Sequence, residues 1–224
     1  MTISIAGFCE TLGMTGVAIT TSSISVGSRC PWVRAHAGAV ATQNITDPTI
    51  GNEVLDLMQD GLDAVSALTQ VMNQRPHAEY RQVTAVDYNG ITADFSGSRI
   101  LGTHSVARER HCVAAGNLLS STGVPKAMVG AFSKNQQMHL AKRLVLSLEA
   151  GISAGGEEGP THSAALLVAH DHPWPLVDLR VDWSDAPVNV LHDLWQRYEP
   201  QMQDYLNRAI NPDDAPTYGV PGDP

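Results

Sequence analysis

Four short strands are predicted at the beginning of the chain before any helix. Residues 1–7 and 16–21 alternate large and small side chains with the period of two that is typical of a strand. Residues 32–34 and 37–43 add two more strands beyond the loop at 27–31. Strands joined by short loops pair antiparallel, because a parallel crossover needs a dozen or more residues. The opening segment therefore favours antiparallel sheets over a strictly alternating parallel sheet.

The period changes after residue 51. Apolar residues recur every three or four positions over 52–73, which predicts an amphipathic helix or helix pair broken near Asp60-Gly61. Asn89-Gly90 predicts a tight hairpin turn between strands at 81–87 and 91–95. Further strands are predicted at 111–115, 162–169 and 177–181, and further helices at 125–132, 138–150 and 186–209. Clustered strands with helices inserted in pairs indicate an α+β layered sandwich.

The chain is 224 residues long, which is enough for one domain with a well-buried core. We expect a single domain over residues 1–209. The remaining residues, 210–224, are rich in proline and lack an apolar period, so we expect a C-terminal arm or a disordered tail.

Charge and hydropathy exclude several classes of partner. The formal net charge is −9 and no lysine–arginine cluster is present, which argues against nucleic acid and against an anionic membrane surface. No apolar run reaches the ~18 residues needed to span a bilayer, and the N-terminus lacks the basic start of a secretory signal. We therefore expect a cytoplasmic protein.

Cysteine and histidine patterns predict no cofactor and no metal. The three cysteines, Cys9, Cys30 and Cys112, are odd in number and widely spaced, which indicates buried free thiols, although Cys9 or Cys30 could act as a nucleophile. His170 and His172 could ligate a metal from one strand face, but no third ligand stands at a recognisable spacing.

A threonine at the edge of the first strand is a candidate nucleophile. If Met1 is removed, Thr2 carries both an attacking hydroxyl and an α-amine of pKa about 7.7–8.0 that can serve as its base. With Met1 attached, an amide nitrogen replaces the amine and this self-activation fails. The alternative is that Thr2 is simply a strand-forming residue.

Six blocks of the sequence carry a resemblance to a known family: Gly16-Val17-Ala18, 31–43, Arg81-Gln82-Val83, Gly116-Asn117-Leu118-Leu119, 163–168 and 177–181. They resemble a bacterial family known as domain-of-unknown-function family ten twenty-eight, whose members look like Ntn-hydrolase-fold proteins. The resemblance implies an α+β fold, a four-layer αββα sandwich of two antiparallel sheets covered by helix pairs. It implies no established activity, so the fold only raises the expectation of amide hydrolysis.

The resemblance also implies where a site lies, because enzymes of this fold react at the start of the first strand. Thr2 is then the nucleophile, and Thr21, at the end of the second strand, could hydrogen-bond the nucleophile or its amine. Arg34 could hold a substrate carboxylate or lower the pKa of a nearby amine. The alternatives are a surface strand threonine at Thr21 and a structural ion pair at Arg34.

Two further residues could stabilise an oxyanion. Thr42 ends the strand at 37–43, where backbone N–H groups and its hydroxyl point toward the following helix. Asn117 could donate its amide to the same oxygen, although an asparagine after a strand more commonly caps a helix or a turn.

Two functions follow from the sequence. The first is an Ntn-type amidohydrolase that acts on a small amide substrate, which could be anionic. The second is a non-catalytic protein that keeps the fold and binds a small molecule or serves as a scaffold. In either case we expect a homo-oligomer, formed through exposed sheet faces or the C-terminal arm.

Overall fold

A computed structural model describes residues 1–220 and contains two antiparallel sheets covered by helices. The six helices are α1 (Thr49–Gln59), α2 (Ala64–Asn73), α3 (Val124–Lys134), α4 (Leu140–Ser153), α5 (Pro187–Tyr198) and α6 (Met202–Ile210). The ten strands are β1 (Thr2–Cys9), β2 (Met14–Thr21), β3 (Pro31–Arg34), β4 (Gly38–Asn44), β5 (Arg81–Asp87), β6 (Thr92–Ser96), β7 (Ser105–Glu109), β8 (Cys112–Asn117), β9 (Ser163–Ala169) and β10 (Val177–Val181).

The strands form a six-stranded and a four-stranded sheet. The larger sheet has the order β10-β9-β2-β1-β8-β7, and the smaller has the order β3-β4-β5-β6. Every pairing between neighbouring strands is antiparallel. The predicted α+β class with two antiparallel sheets is therefore confirmed, and so is the hairpin at Asn89-Gly90, where Gly90 has a φ of +79°.

Strands β1 and β2 lie at the centre of the larger sheet and are buried along their whole length. On one face, Ile3 and Ile5 pack with Leu144 and Leu148 of α4. On the other face, Ala6 joins a cluster that includes Ala39 and other small residues of the smaller sheet. The strand alternation thus separates a helix-facing side from a sheet-facing side.

The smaller sheet also has one face covered by helices and the other face turned toward the larger sheet. Val40 and Val83 face outward and pack with Val54 of α1 and Leu68 of α2. Together the two sheets and their helices produce the layer order helices, sheet, sheet, helices. A chain position between the two sheets is therefore covered on both sides, and a polar side chain there must find its partners locally.

Two elements differ from the sequence prediction. Strand β7 was not predicted, because it is a half-exposed edge strand whose side chains give little apolar signal. The predicted helix at 186–209 is divided into α5 and α6 by a 3-10 turn at Glu199–Gln201. Pro200 lies in that turn and lacks the N–H that a continuous helix requires.

Part of the predicted C-terminal tail lies against the helix before it. The Arg208 side chain donates to the carbonyl oxygens of Pro216 at 2.9 Å and Thr217 at 3.3 Å. Residues 221–224 of the predicted tail lie outside the described residues.

Two helical glycines provide a test of the packing between α1 and β3. A Cβ atom built on Gly51 of α1 would overlap the indole ring of Trp32, whereas one on Gly130 of α3 meets no atom within 4 Å. We expect Gly51→Ala to lower the free energy of unfolding by about 1–3 kcal/mol through overpacking. Gly130→Ala should raise it by about 0.5–1 kcal/mol, because alanine restricts the unfolded chain. Urea denaturation of both variants checks this, and a stable Gly51→Ala protein would contradict the close approach of α1 and β3.

Candidate functional site at the start of the first strand

Strand register brings three of the predicted site residues together. Thr2 lies opposite Thr21 on β2 and opposite Asn117 on β8. All three side chains are buried. The hydroxyl oxygens of Thr2 and Thr21 lie 3.1 Å apart. The antiparallel pairing of β1 with both neighbours is what places the start of one strand beside the ends of the other two.

Both hydroxyl groups donate to the backbone carbonyl of Met1. The Thr2 hydroxyl lies 2.6 Å from that oxygen, and the Thr21 hydroxyl also donates to it. A hydroxyl group has a single proton to donate. When both protons point at the Met1 carbonyl, no proton remains for a hydrogen bond between the two threonines. The Met1 carbonyl oxygen therefore accepts the hydroxyl protons of both Thr2, the candidate nucleophile, and Thr21.

A chain of amide side chains lies beneath these threonines, between the two sheets. Ser4 donates to Gln43 Oε1 at 2.7 Å, and Gln43 Nε2 donates to Gln82 Oε1 at 2.6 Å. Asn117 Nδ2 donates to the same Gln82 oxygen at 3.4 Å. The NH2 group of Asn117 is thus directed toward Gln82, and donation to an oxyanion at Thr2 would require it to leave that partner.

Thr42 and Arg34 lie away from this cluster. Gln43 faces the larger sheet, so its neighbour Thr42 projects from the opposite face of β4. The Thr42 hydroxyl accepts from Thr46 at 2.7 Å and lies 3.4 Å from the Cys30 carbonyl oxygen. Arg34 is paired with Gly38, at the other end of β4 from Gln43, which corresponds to roughly 17 Å along the strand.

The Arg34 guanidinium is bound by acceptors of α1. It lies 2.6 Å from Asp56 Oδ1 and 2.9 Å from Gln59 Oε1. This is the structural ion pair that the sequence left open as the alternative for Arg34. The geometry brings together Thr2, Thr21 and Asn117 of the five predicted residues, and it leaves Thr42 and Arg34 apart from them.

Glu157 joins the site and was missed by the sequence analysis. Its side chain is buried, and neither carboxylate oxygen has a hydrogen-bond partner among the described residues. Burial raises the pKa of Glu157 to about 8, while the α-ammonium group of Met1 and the backbone of Ser22 lower it in part. The bridge to Leu119, two residues beyond Asn117, and the approach of Gly159 to Met1 place this segment beside the start of β1.

Glu157 resembles a surface residue in sequence because it lies in a stretch of glycines and glutamates. Glu157 is nevertheless held by a β-bridge to Leu119, whereas the adjacent Glu158 is exposed. The turn before the bridge uses Gly155 and Gly156, which both have positive φ angles. The paired glycines are the one local signal of a tight turn there, but they do not tell which glutamate points inward.

The cysteines are free thiols within the described residues, and all three are buried. Burial raises the pKa of Cys30 to about 11 and that of Cys112 to about 12. Both thiols are therefore protonated at neutral pH and are poor nucleophiles. This removes Cys30 as a competitor of Thr2.

Residues 1–220 contain neither a metal-binding cluster nor a membrane-spanning helix. In this range, no group of three or more histidine, cysteine, aspartate or glutamate side chains is placed to hold a metal ion. His172 instead stacks on Trp174, with ring centroids 4.8 Å apart. In the same range, no helix has both the length and the apolar character required to cross a bilayer.

Comparison with known proteins places the chain in a family. Residues 2–191 match the family described as "Family of unknown function (DUF1028)", and the chain belongs to that family. The crystal structure of protein SPO2555 from Silicibacter pomeroyi, a DUF1028 protein, is 32% identical with a TM-score of 0.81, and the match covers 88% of each chain.

A second solved structure is more distant. Anbu (ancestral beta-subunit) from Yersinia bercovieri is 9% identical with a TM-score of 0.37, over 91% of this chain and 97% of that chain. No curated protein matches the chain.

The raised pKa of Glu157 makes a prediction about stability and pH. The folded state holds this proton up to about pH 8, whereas an ordinary glutamate releases it near pH 4.5. Stability from this proton is complete below pH 4.5 and is lost as the pH rises through 8. The parent protein therefore loses stability between pH 5 and pH 8.5, whereas Glu157→Gln has no such proton to lose. We expect the difference in the free energy of unfolding, Glu157→Gln minus parent, to rise by about 2–4 kcal/mol over this range.

Urea denaturation at the two pH values measures this difference. Glu158→Gln is the matched control, because it removes the same charge from the exposed neighbouring position. Its stability relative to the parent should change little with pH. A pH-independent difference for Glu157→Gln would show that the carboxylate is ionised in an ordinary, solvated environment.

Proposed function

We propose that this protein hydrolyses a small amide, with Thr2 as an N-terminal nucleophile that becomes available when Met1 is removed. The observation that carries the proposal is the convergence of the Thr2 and Thr21 hydroxyl groups on the Met1 carbonyl oxygen. A carbonyl held by two hydroxyl groups at the start of a buried strand has the environment that an amide substrate would require.

Loss of Met1 changes the chemistry of Thr2 in two ways. It converts the Thr2 amide nitrogen to an α-amine, whose ordinary pKa of about 7.7–8.0 suits a general base at neutral pH. It also releases the two hydroxyl groups from the Met1 carbonyl, so that Thr21 and Thr2, 3.1 Å apart, can hydrogen-bond to each other.

The amine of Thr2 is the base that this site requires. All three lysines of the chain, Lys126, Lys134 and Lys142, belong to α3 and α4, and Lys142 contacts His192. A threonine hydroxyl is a weak nucleophile until a neighbouring base accepts its proton. In the proposed mechanism the Thr2 amine accepts that proton and later delivers it to the leaving amine.

We assign stabilisation of the oxyanion to the Thr21 hydroxyl in place of Thr42. Thr21 already donates to a carbonyl oxygen at this position, whereas Thr42 projects from the opposite face of β4. A donor that is already positioned loses little energy to rearrangement during the reaction. Asn117 then hydrogen-bonds to Gln82, as part of the chain of amide side chains beneath Thr2 and Thr21.

The arrangement of the layers also supports the proposal. The layer order helices, sheet, sheet, helices is the arrangement that the sequence resemblance implies for an Ntn-hydrolase-like αββα sandwich. The start of β1 lies in the larger sheet, beside the end of β2, as that resemblance also implies. These features support the Ntn-type assignment of Thr2.

A non-catalytic binding protein is the alternative function, and one observation favours it. With Met1 in place, Thr2 has no α-amine and its hydroxyl proton is directed at the Met1 carbonyl. A protein that functions in this form would keep the fold without the chemistry.

The test compares two preparations of the protein, one with Met1 retained and one with Thr2 as the first residue. A fusion cleaved directly before Thr2 supplies the second, and intact mass verifies both. We expect turnover of 4-nitrophenyl acetate, a small acyl donor, in the preparation that begins with Thr2. Thr2→Ala should lower kcat/KM by about a hundredfold or more, whereas Thr2→Ser should stay within about tenfold.

Thr21→Val and Thr15→Val are a matched pair of variants on β2. Both positions are buried, but Thr15 lies at the far end of the strand, opposite Phe8. We expect Thr21→Val to lower kcat by about 10–100-fold and Thr15→Val to leave it unchanged. Equal activity of the two preparations, or full activity of Thr2→Ala, would overturn the proposed function.

A further inference from the structure

Met1 makes two kinds of contact beside the candidate nucleophile, and its α-ammonium group also acts on Glu157 through its charge. Its carbonyl oxygen accepts from the Thr2 and Thr21 hydroxyl groups. Its side chain approaches Gly159, where an added Cβ atom would lie 2.9 Å from the methionine Cε atom. Its α-ammonium group is close enough to Glu157 to lower the pKa of that carboxyl group. An α-amino acyl group therefore already fills the space in front of Thr2.

The position of the Met1 acyl group indicates where the acyl half of a substrate would bind. An acyl group on the Thr2 nitrogen and one on the Thr2 hydroxyl are isomers that are related through a five-membered ring. That ring contains the nitrogen, Cα, Cβ, the hydroxyl oxygen and the acyl carbon. The acyl half of a substrate bound as an ester to Thr2 would consequently lie next to the position that Met1 fills here.

Glu157 is the acidic group of this position, and a cation bound against it would favour its ionised form. It is 7% exposed, and both of its oxygens lack hydrogen-bond partners in residues 1–220. A buried carboxylate is costly unless a cation or hydrogen-bond donors compensate it. The Met1 ammonium supplies positive charge in the present structure, and loss of Met1 would remove that charge from the place it now occupies.

We propose that Glu157 binds the α-ammonium group of an aminoacyl substrate, so that the enzyme acts on amides of amino acids with a free amine. This inference rests on the proposed function of Thr2. In it, Thr21 binds the substrate carbonyl, Glu157 binds the substrate ammonium, and the space beside Gly159 accepts the substrate side chain. The substrate carbonyl and side chain thus repeat the two contacts of Met1, and the substrate ammonium approaches Glu157 more closely than the Met1 ammonium does.

The reaction balances without a further reactant besides water. The Thr2 hydroxyl oxygen attacks the amide carbon and forms an ester, while the C–N bond to the leaving amine breaks. The hydroxyl proton passes through the Thr2 amine to the leaving amine. Water then cleaves the ester, which releases the free amino acid and restores the Thr2 hydroxyl.

A cationic substrate also favours the base form of Thr2. The substrate ammonium would lie close to the Thr2 amine, and a nearby like charge disfavours protonation of an amine. Substrate binding would then help to keep the Thr2 amine neutral and able to accept a proton. A substrate with a blocked amine would supply neither this effect nor the ion pair with Glu157.

The experiment compares methionine 4-nitroanilide with N-acetylmethionine 4-nitroanilide, using the protein that begins with Thr2. The acetyl group removes the charge of the amine and also adds bulk, and the Glu157→Gln variant separates these two effects. We expect kcat/KM for the free amine to exceed that for the acetylated compound by about tenfold or more. This is the size of effect expected when a hydrogen bond to a charged group is lost. Glu157→Gln should bring the ratio of the two values close to one, and Glu158→Gln should leave it unchanged.

The outcomes separate this inference from the function on which it rests. Equal or faster hydrolysis of the acetylated compound would overturn the role of Glu157, while its turnover by Thr2 would still support the hydrolase. Turnover of 4-nitrophenyl acetate with neither anilide hydrolysed would likewise overturn only the aminoacyl preference. Failure with all three compounds would overturn the hydrolase and the inference together. A thermal melt of Glu157→Gln verifies that the variant is folded.

Discussion

The burial of β1 and β2 on both faces is the constraint on which the rest of the structure depends. A central strand that is covered by helices on one side and by a second sheet on the other presents alternate side chains to the two layers. Ile3 and Ile5 therefore face α4, while Ser4 and Ala6 face the smaller sheet. The polar groups at the strand start have no access to bulk water, so they must pair with one another or with whatever residue lies in front of them.

The small residues between the sheets have a direct consequence for the site. Ala6, Ala39 and Ala41 allow the sheets to approach closely, and this proximity makes the hydrogen bond from Ser4 to Gln43 possible across the interface. The chain of amide side chains continues from Gln43 to Gln82 and forms the polar layer beneath Thr2. A buried polar network that is well paired is rigid, and rigidity in this polar layer keeps the threonine hydroxyl groups in one arrangement.

Much of this architecture was predictable because it depends on local patterns. Period-two alternation identified β1 and β2, and the hairpin at Asn89-Gly90 followed from turn chemistry. The convergence of Thr2, Thr21 and Asn117 required only antiparallel register. Thr42 was different, because successive residues of a strand point to opposite faces of the sheet. The family resemblance did not specify which face Thr42 occupies.

Glu157 could not be predicted for a related reason. Glu157 and Glu158 are neighbours of the same type in a glycine-rich segment, and only the long-range bridge from Glu157 to Leu119 distinguishes them. The bridge turns one carboxylate into the protein beside the start of β1 and leaves the other in solvent. Tertiary structure alone thus creates the buried carboxyl group of the site.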